Sequence, residues 1–193
     1  TGADVNVIEG TYVDGYPTGI DMWGEGMLTS YRQWETPQEA TPPYLNMSKP
    51  IICAVNGAAC GAGLDLVTTS DIAIAAEHAT FFVLHVSIGV VSGREMARMA
   101  RVLPFNVAMR MALIGKHERM SAQRAYDLGL ITEIVPKEQL LERAWELAGI
   151  VNRNAPLAVR GTRMAMRKGI SLPISEAELL AESYRLRCAQ TED

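Results

Sequence analysis

Lys49-Pro50-Ile51-Ile52-Cys53-Ala54-Val55-Asn56-Gly57-Ala58-Ala59-Cys60-Gly61-Ala62-Gly63-Leu64-Asp65-Leu66 is the stretch on which the fold turns. Residues 51–55 form a short, continuous apolar run of the kind that a buried parallel strand needs. The run breaks at Asn56-Gly57, a turn built of Gly, Ala and Cys follows, and residues 64–67 read as the first turns of a helix. A strand, a small-residue turn and a helix together make a recurrent anion site. Small residues let a ligand approach the backbone, and the free N–H groups and dipole of the helix start favour negative charge. Close packing of helix on strand also needs small residues, so both readings stay open at this point. Spacing excludes two sharper alternatives. A dinucleotide fingerprint needs a third glycine where Leu66 stands, and a P-loop needs a Gly-Lys-Ser/Thr that is missing.

Outward from this stretch, residues 71–75 read as a second buried strand, and residues 80–82 precede the segment Leu84-His85-Val86-Ser87-Ile88-Gly89. Ser92 is placed to cap a helix through Arg101. Residues 106–114 read as a helix after Pro104, with Met109 and Leu113 at i,i+4 spacing on its apolar face. Ser121 caps a short helix that Gly129 ends. Residues 130–135 are strand-like, and helices are expected over 138–152, 157–168 and 175–188. Residues 10–48, rich in Gly, Pro, Thr, Tyr and Trp, read as a long surface connection that lines a pocket. Strands and helices alternate first and helices dominate later, which makes the class α/β with a helical C-terminal part. The division expected is 1–135 for the core and 136–193 for the helical region.

Composition narrows the function classes. Of the 193 residues 48% are hydrophobic but only 6% aromatic, which suits an Ala/Met/Val/Leu-packed α/β protein better than a β-sandwich. A net charge of −4 and the lack of a clustered basic stripe argue against nucleic acid as a partner. Cys53, Cys60 and Cys188 form no pairable framework and no CxxC, which fits a reducing compartment. The apolar runs 51–55 and 86–91 are too short to span a bilayer. The ends, Thr1-Gly2-Ala3-Asp4 and Gln190-Thr191-Glu192-Asp193, carry neither an initiator Met nor a stop signal, so a piece of a longer chain is expected.

Three ordered blocks resemble the crotonase (enoyl-CoA hydratase/isomerase) superfamily. Residues 49–66, followed by Ser70-Asp71-Ile72, resemble its K-P-x-I-A-A-V-x-G-x-A-x-G-G-G-x-E-L signature and the C/S-D-x-x-x-A after it. Thr1-Gly2-Ala3-Asp4-Val5 is similar to x-G-A-D-I/L. Ser121-Ala122-Gln123-Arg124-Ala125-Tyr126-Asp127-Leu128-Gly129-Leu130-Ile131, with Val135-Pro136 beyond it, is similar to A-x-E-A-x-x-x-G-L-V. The resemblance implies a ββα superhelical (spiral) core, a helical C-terminal trimerisation region, and assembly as a homotrimer or dimer of trimers. It implies an acyl-CoA thioester as substrate with no separate cofactor. No metal site is expected from the spacing of the histidines, and the cysteine usage makes a cytoplasmic protein the expectation. The thioester carbonyl would be polarised by the backbone N–H groups of Ala3 and Ala62. Preorganised amides of this kind lower a barrier by about 3–4 kcal/mol each. Ala3, Asp4, Val5, Asn6, Gly61 and Ala62 would lie along the CoA ester.

The resemblance is altered where its chemistry should be. Hydratases of the family use two glutamates; here the first position is Asp65 and the second, counted through Asp71 and Phe81, is His85. Histidine serves as a base near neutrality, yet it lacks a carboxylate's two acceptor oxygens. Ser92 stands where a proline is usual, and Arg94 and Glu95 stand where small residues are usual. Glu95 is the nearest candidate for a relocated carboxylate, so Asp65, His85 and Glu95 are the candidate catalytic residues. Each has a plain alternative: a local cap or pair for Asp65, a structural histidine at His85, a helix-dipole partner for Glu95. An enoyl-CoA hydratase/isomerase is expected, with an isomerase, hydrolase or C–C lyase, or an acyl-CoA-binding protein without turnover, as alternatives. Gly89-Val90-Val91-Ser92-Gly93 is not a nucleophile elbow, because its serine falls one place late. His78 and His117 lack partners at metal-ligand spacing and read as surface residues. Met96, Met99, Met109 and Met111 read as core rather than pocket lining.

Overall fold

The computed structural model describes residues 49–191. In chain order they form β1 (Ile52–Val55), β2 (Ala58–Ala59), α1 (Ala62–Thr69), β3 (Ile72–Ala76) and β4 (Thr80–Phe81). A 3₁₀ turn (His85–Ile88) then leads to α2 (Arg94–Val102) and α3 (Phe105–Ile114). Next come β5 (Met120–Ser121), α4 (Ala122–Asp127) and β6 (Glu133–Val135), and finally α5 (Leu140–Asn152), α6 (Pro156–Gly169) and α7 (Ile174–Cys188).

Two small sheets organise this part of the chain. One is parallel throughout in the order β1-β3-β6, with Ile52 beside Ile72 and Ala76 beside Val135. The other runs β2-β4-β5, parallel between β2 and β4 and antiparallel between β4 and β5. The central strand β3, Ile-Ala-Ile-Ala-Ala, explains the first sheet. Its Ala73 and Ala75 face a core with Val55, Leu64, Val67, Phe81 and Met99, while Ile74 and Ala76 face Val135 and Leu140. Successive strand side chains point to opposite faces, so α1 and α2 cover one face of the sheet and α5 the other.

The departures from sequence expectation have local causes. Helix α1 begins at Ala62 instead of Leu64, because Gly61 folds back at once and its carbonyl accepts from Asp65 N–H at 3.0 Å. Ser92 does not cap α2; Gly93 is the cap residue, and the Ser92 Oγ meets no hydrogen-bond partner among the described residues. Helix α3 buries Ala108, Met111 and Ala112, leaving Met109 and Leu113 exposed, so the apolar face is rotated from the one the i,i+4 pair suggested. Strand β6 is shorter than residues 130–135, because Leu130 N–H still bonds Ala125 and Thr132 bonds the Ala73 carbonyl through both N–H (2.8 Å) and Oγ1 (2.9 Å). Ser121 does cap α4, accepting from Arg124 N–H at 3.2 Å, and Gly129 follows that helix with φ 78°.

Asp71, at the entrance to β3, ties helix α6 to the sheet. Its Oδ2 accepts from Ile51 N–H (2.8 Å) and Arg163 Nε (2.6 Å), and its Oδ1 from Arg167 Nε (2.8 Å). Arg167 Nη2 donates onward to the carbonyls of Thr69 (2.8 Å) and Ser70. Burial alone would raise the Asp71 pKa, but the bonds from Arg163, Ile51 N–H and Arg167 outweigh it and hold the carboxyl below its ordinary value.

Candidate active site

The small-residue turn supplies the first element. Gly61 has φ 52° and ψ −120°, a region costly for any residue with a Cβ. Gly63 N–H bonds the Cys60 carbonyl at 2.9 Å, so the chain enters α1 without a spacer. Ala62 is the first helical residue, and first-turn N–H groups have no carbonyl partner within their own helix. An amide at this position is therefore available to an oxyanion. The Cys60 thiol beside it is buried, and burial pushes its pKa up against the opposing pull of the Leu84 and Gly61 backbones. It is a protonated packing group at neutral pH, not a thiolate nucleophile.

The second element is the 3₁₀ turn that His85 opens. Its Nδ1 lies 2.9 Å from Glu95 Oε1 on the first turn of α2. The two atoms are close, but the ring nitrogen is not aligned on the carboxylate as a hydrogen bond requires, so the pair is an electrostatic contact. A histidine beside a carboxylate has the chemistry of a general base. The His85 side chain keeps 24% of its surface accessible and that of Glu95 only 10%. The imidazole can reach a ligand while the carboxylate that orients it is sheltered. The turn is braced from the residues just past α3: Lys116 N–H donates to Ser87 Oγ at 3.0 Å. The tight approach needs glycine at 115, where φ is 67° and a Cβ would stand 2.3 Å from Ser87 Oγ.

Asp65 supplies the third element. It lies in the first turn of α1 and its Oδ1 accepts from Arg98 Nη1, on α2 one turn beyond Glu95. Both side chains are largely covered, at 17% and 22% exposure. One helix thus carries the partners of both predicted groups, Glu95 for His85 and Arg98 for Asp65.

An apolar cavity of about 610 Å³ opens beside this array, walled by Val86, Val91, Met96, Phe105, Met109 and Leu113 among others. His85 and Glu95 do not line it, but their chain neighbours Val86 and Met96 do. Met96, Met99 and Met111 are buried as the core reading expects; Met109 is exposed and lines the cavity, as Met96 also does.

Asp65, His85 and Glu95 are thus drawn to one helix, α2, while Gly61 and Ala62 shape the adjoining turn. Ala3, Asp4, Val5, Asn6 and the connection 10–48 lie outside the described residues. Arg98 was missed in the sequence. Its spacing of three from Glu95 was the available signal, but that spacing reads equally as an exposed pair along a helix. His78 and His117 are exposed, and no group of three or more His, Cys, Asp or Glu among the described residues is arranged to hold a metal. Among these residues no helix is long and apolar enough to cross a membrane.

With a parallel sheet, a Gly-rich entry to α1 and this array on α2, the chain belongs to the enoyl-CoA hydratase/isomerase family, which it matches over residues 5–191. It is similar to an enoyl-CoA hydratase/isomerase from Mycobacterium paratuberculosis of known crystal structure, with 65% identity and a TM-score of 0.79 over 86% of this chain and 66% of that one. It is 31% identical to the (E)-benzylidenesuccinyl-CoA hydratase of Thauera aromatica, over 98% of this chain and 74% of the relative. It is 32% identical to the 2,3-dehydroadipyl-CoA hydratase of Escherichia coli K12, over 76% of this chain but only 57% of the relative. The match thus spans between about half and three quarters of the length of such curated relatives.

Proposed function

We propose that the protein processes an acyl-CoA thioester through its enolate, with a backbone oxyanion hole and the His85–Glu95 pair as its base. The observation that carries this is the 2.9 Å contact between His85 Nδ1 and Glu95 Oε1, close to an α1 N-terminus shaped by Gly61. In this reading the N–H groups of Ala3 and Ala62 hold the thioester oxygen, and residues 3–6 with Gly61 and Ala62 follow the CoA. His85 Nε2 takes a proton from a substrate carbon or from water. When the proton comes from water, the oxygen left behind bonds to Cβ and the Cα=Cβ electrons move onto the thioester oxygen. When it comes from carbon, the C–H pair moves there instead. In both cases Glu95 balances the imidazolium that forms. Return of the proton to Cα completes hydration; return to another carbon completes isomerisation. The cavity beside α3 suits the acyl chain.

Asp65 and His85 in place of two glutamates favour a second reading within the same family, in which one base serves an isomerase, hydrolase or C–C lyase. We further propose a homotrimer or dimer of trimers, in the cytoplasm. Exposed Ile170, Ile174, Leu179 and Leu186 support an assembly surface on the C-terminal helices, and three free cysteines support a reducing compartment.

The test is to assay the complete protein against a panel of 2- and 3-enoyl-CoA esters, with calorimetry of CoA and acyl-CoA binding alongside. Turnover of at least one ester is expected. Tight binding without turnover would leave a thioester-binding protein, and no binding would remove the acyl-CoA reading altogether.

A further inference from the structure

The geometry points to Arg98 as a positioning residue: we propose that it fixes the Asp65 carboxylate in place, so that Asp65 works as a hydrogen-bond acceptor toward a water or the substrate. This rests on the acyl-CoA reading above and assigns within it a residue that the family resemblance did not carry.

The Arg98–Asp65 pair differs from the surface pairs of the molecule. Arg110–Glu118 leaves its side chains 65% and 43% exposed, and Arg185–Glu182 leaves 65% and 48%, whereas Arg98 and Asp65 keep only 22% and 17%. The surface pairs join residues eight and three apart; Arg98 and Asp65 are 33 apart and join two helices. The pair also shares α2 with Glu95. One turn of that helix therefore presents an anion to the imidazole and the next a cation to the carboxylate. The α1 N-terminus acts in the same direction as Arg98, since its dipole favours a negative Asp65. A carboxylate gripped by an arginine of a second helix keeps its orientation. Asp65 can then accept a hydrogen bond from a water or a substrate hydroxyl, provided that Arg98 keeps it in place.

Kinetics of Arg98→Met, Arg98→Lys, Asp65→Asn and the Arg98→Met/Asp65→Asn double variant test this in the complete protein. The readouts are kcat and KM on the best ester of the panel, together with deuterium uptake from solvent at Cα of butanoyl-CoA, which needs no net turnover. Arg98→Met should lower kcat and exchange at least tenfold while KM stays within threefold. The double variant should be no worse than Asp65→Asn alone, and Arg98→Lys should recover most of the loss. Unchanged kcat in Arg98→Met, losses that multiply in the double variant, or a loss confined to KM would each overturn the assignment. So would a loss that follows thermal stability alone and is not rescued by lysine. If the unsubstituted protein neither turns over nor exchanges, the acyl-CoA reading falls and this one with it; an active protein indifferent to Arg98→Met overturns only Arg98.

Discussion

Asp65 and Asp71 stand six residues apart, at the start and just past the end of α1, and each meets arginine from a distant part of the chain. Their surroundings differ in what is left over. At Asp71 both oxygens are engaged, by Ile51 N–H, Arg163 and Arg167, and Arg167 spends its further donor capacity on two backbone carbonyls. Such a closed network stabilises a fold and has little left with which to bind or move a proton. At Asp65 the pair sits beside a second pair, His85–Glu95, whose imidazole remains partly exposed. Charge pairing alone therefore does not mark a site. A titratable group that stays partly exposed beside a helix N-terminus and an apolar cavity makes a candidate site.

The contrast can be broken in order of expected effect. His85→Ala should reduce turnover by about 10²–10⁴-fold while acyl-CoA binding in calorimetry stays largely intact; unchanged turnover would return His85 to a structural role. Asp71→Asn should do the reverse. Removing the anion between two largely covered arginines costs about 3 kcal/mol in denaturant unfolding, with kcat per folded molecule unchanged. Glu95→Gln should lower kcat by about 10–100-fold with little change in KM, since the imidazole is kept but loses the charge that orients it and balances the imidazolium. Gly115→Ala should weaken activity further from the chemistry, because its Cβ would displace Ser87 and the turn that carries His85; melting temperature and kcat are expected to fall together.

The pH dependence of stability sharpens the same comparison. The Asp71 pKa is held below its ordinary 3.8, so its stabilising contribution is complete above that pH and is lost as the pH falls through the lower, folded value. The stability gap between the unsubstituted protein and Asp71→Asn should therefore be full near neutrality and close in acid below about pH 4. A gap that persisted unchanged to acid pH would show that the network acts through packing and not through charge.

Much of the fold was legible because it is written in short-range pattern. The apolar run before Asn56-Gly57, the small-residue turn, the Ser121 cap and Gly129 each fix their element through neighbours in sequence. Ser92 misled because a capping residue type is only a local preference, and the chain turned into α2 one residue later. The face of α3 misled because i,i+4 spacing fits more than one face of a helix rich in apolar residues, and packing against Met96 and Met99 decides between them. The candidate residues could be named from the sequence, but not their contacts. Asp65, His85 and Glu95 could be named by position, but Arg98 reaches Asp65 only because α1 and α2 pack together, and Arg163 meets Asp71 across 92 residues of chain. Contacts of that range follow from the completed fold.

The most direct test of the central claim is deuterium incorporation at Cα of butanoyl-CoA, followed by NMR in the complete protein and in His85→Ala. The account predicts exchange well above the uncatalysed rate that His85→Ala abolishes while the ester still binds. Exchange that survives His85→Ala, or a protein that binds the ester tightly and exchanges nothing, would contradict it.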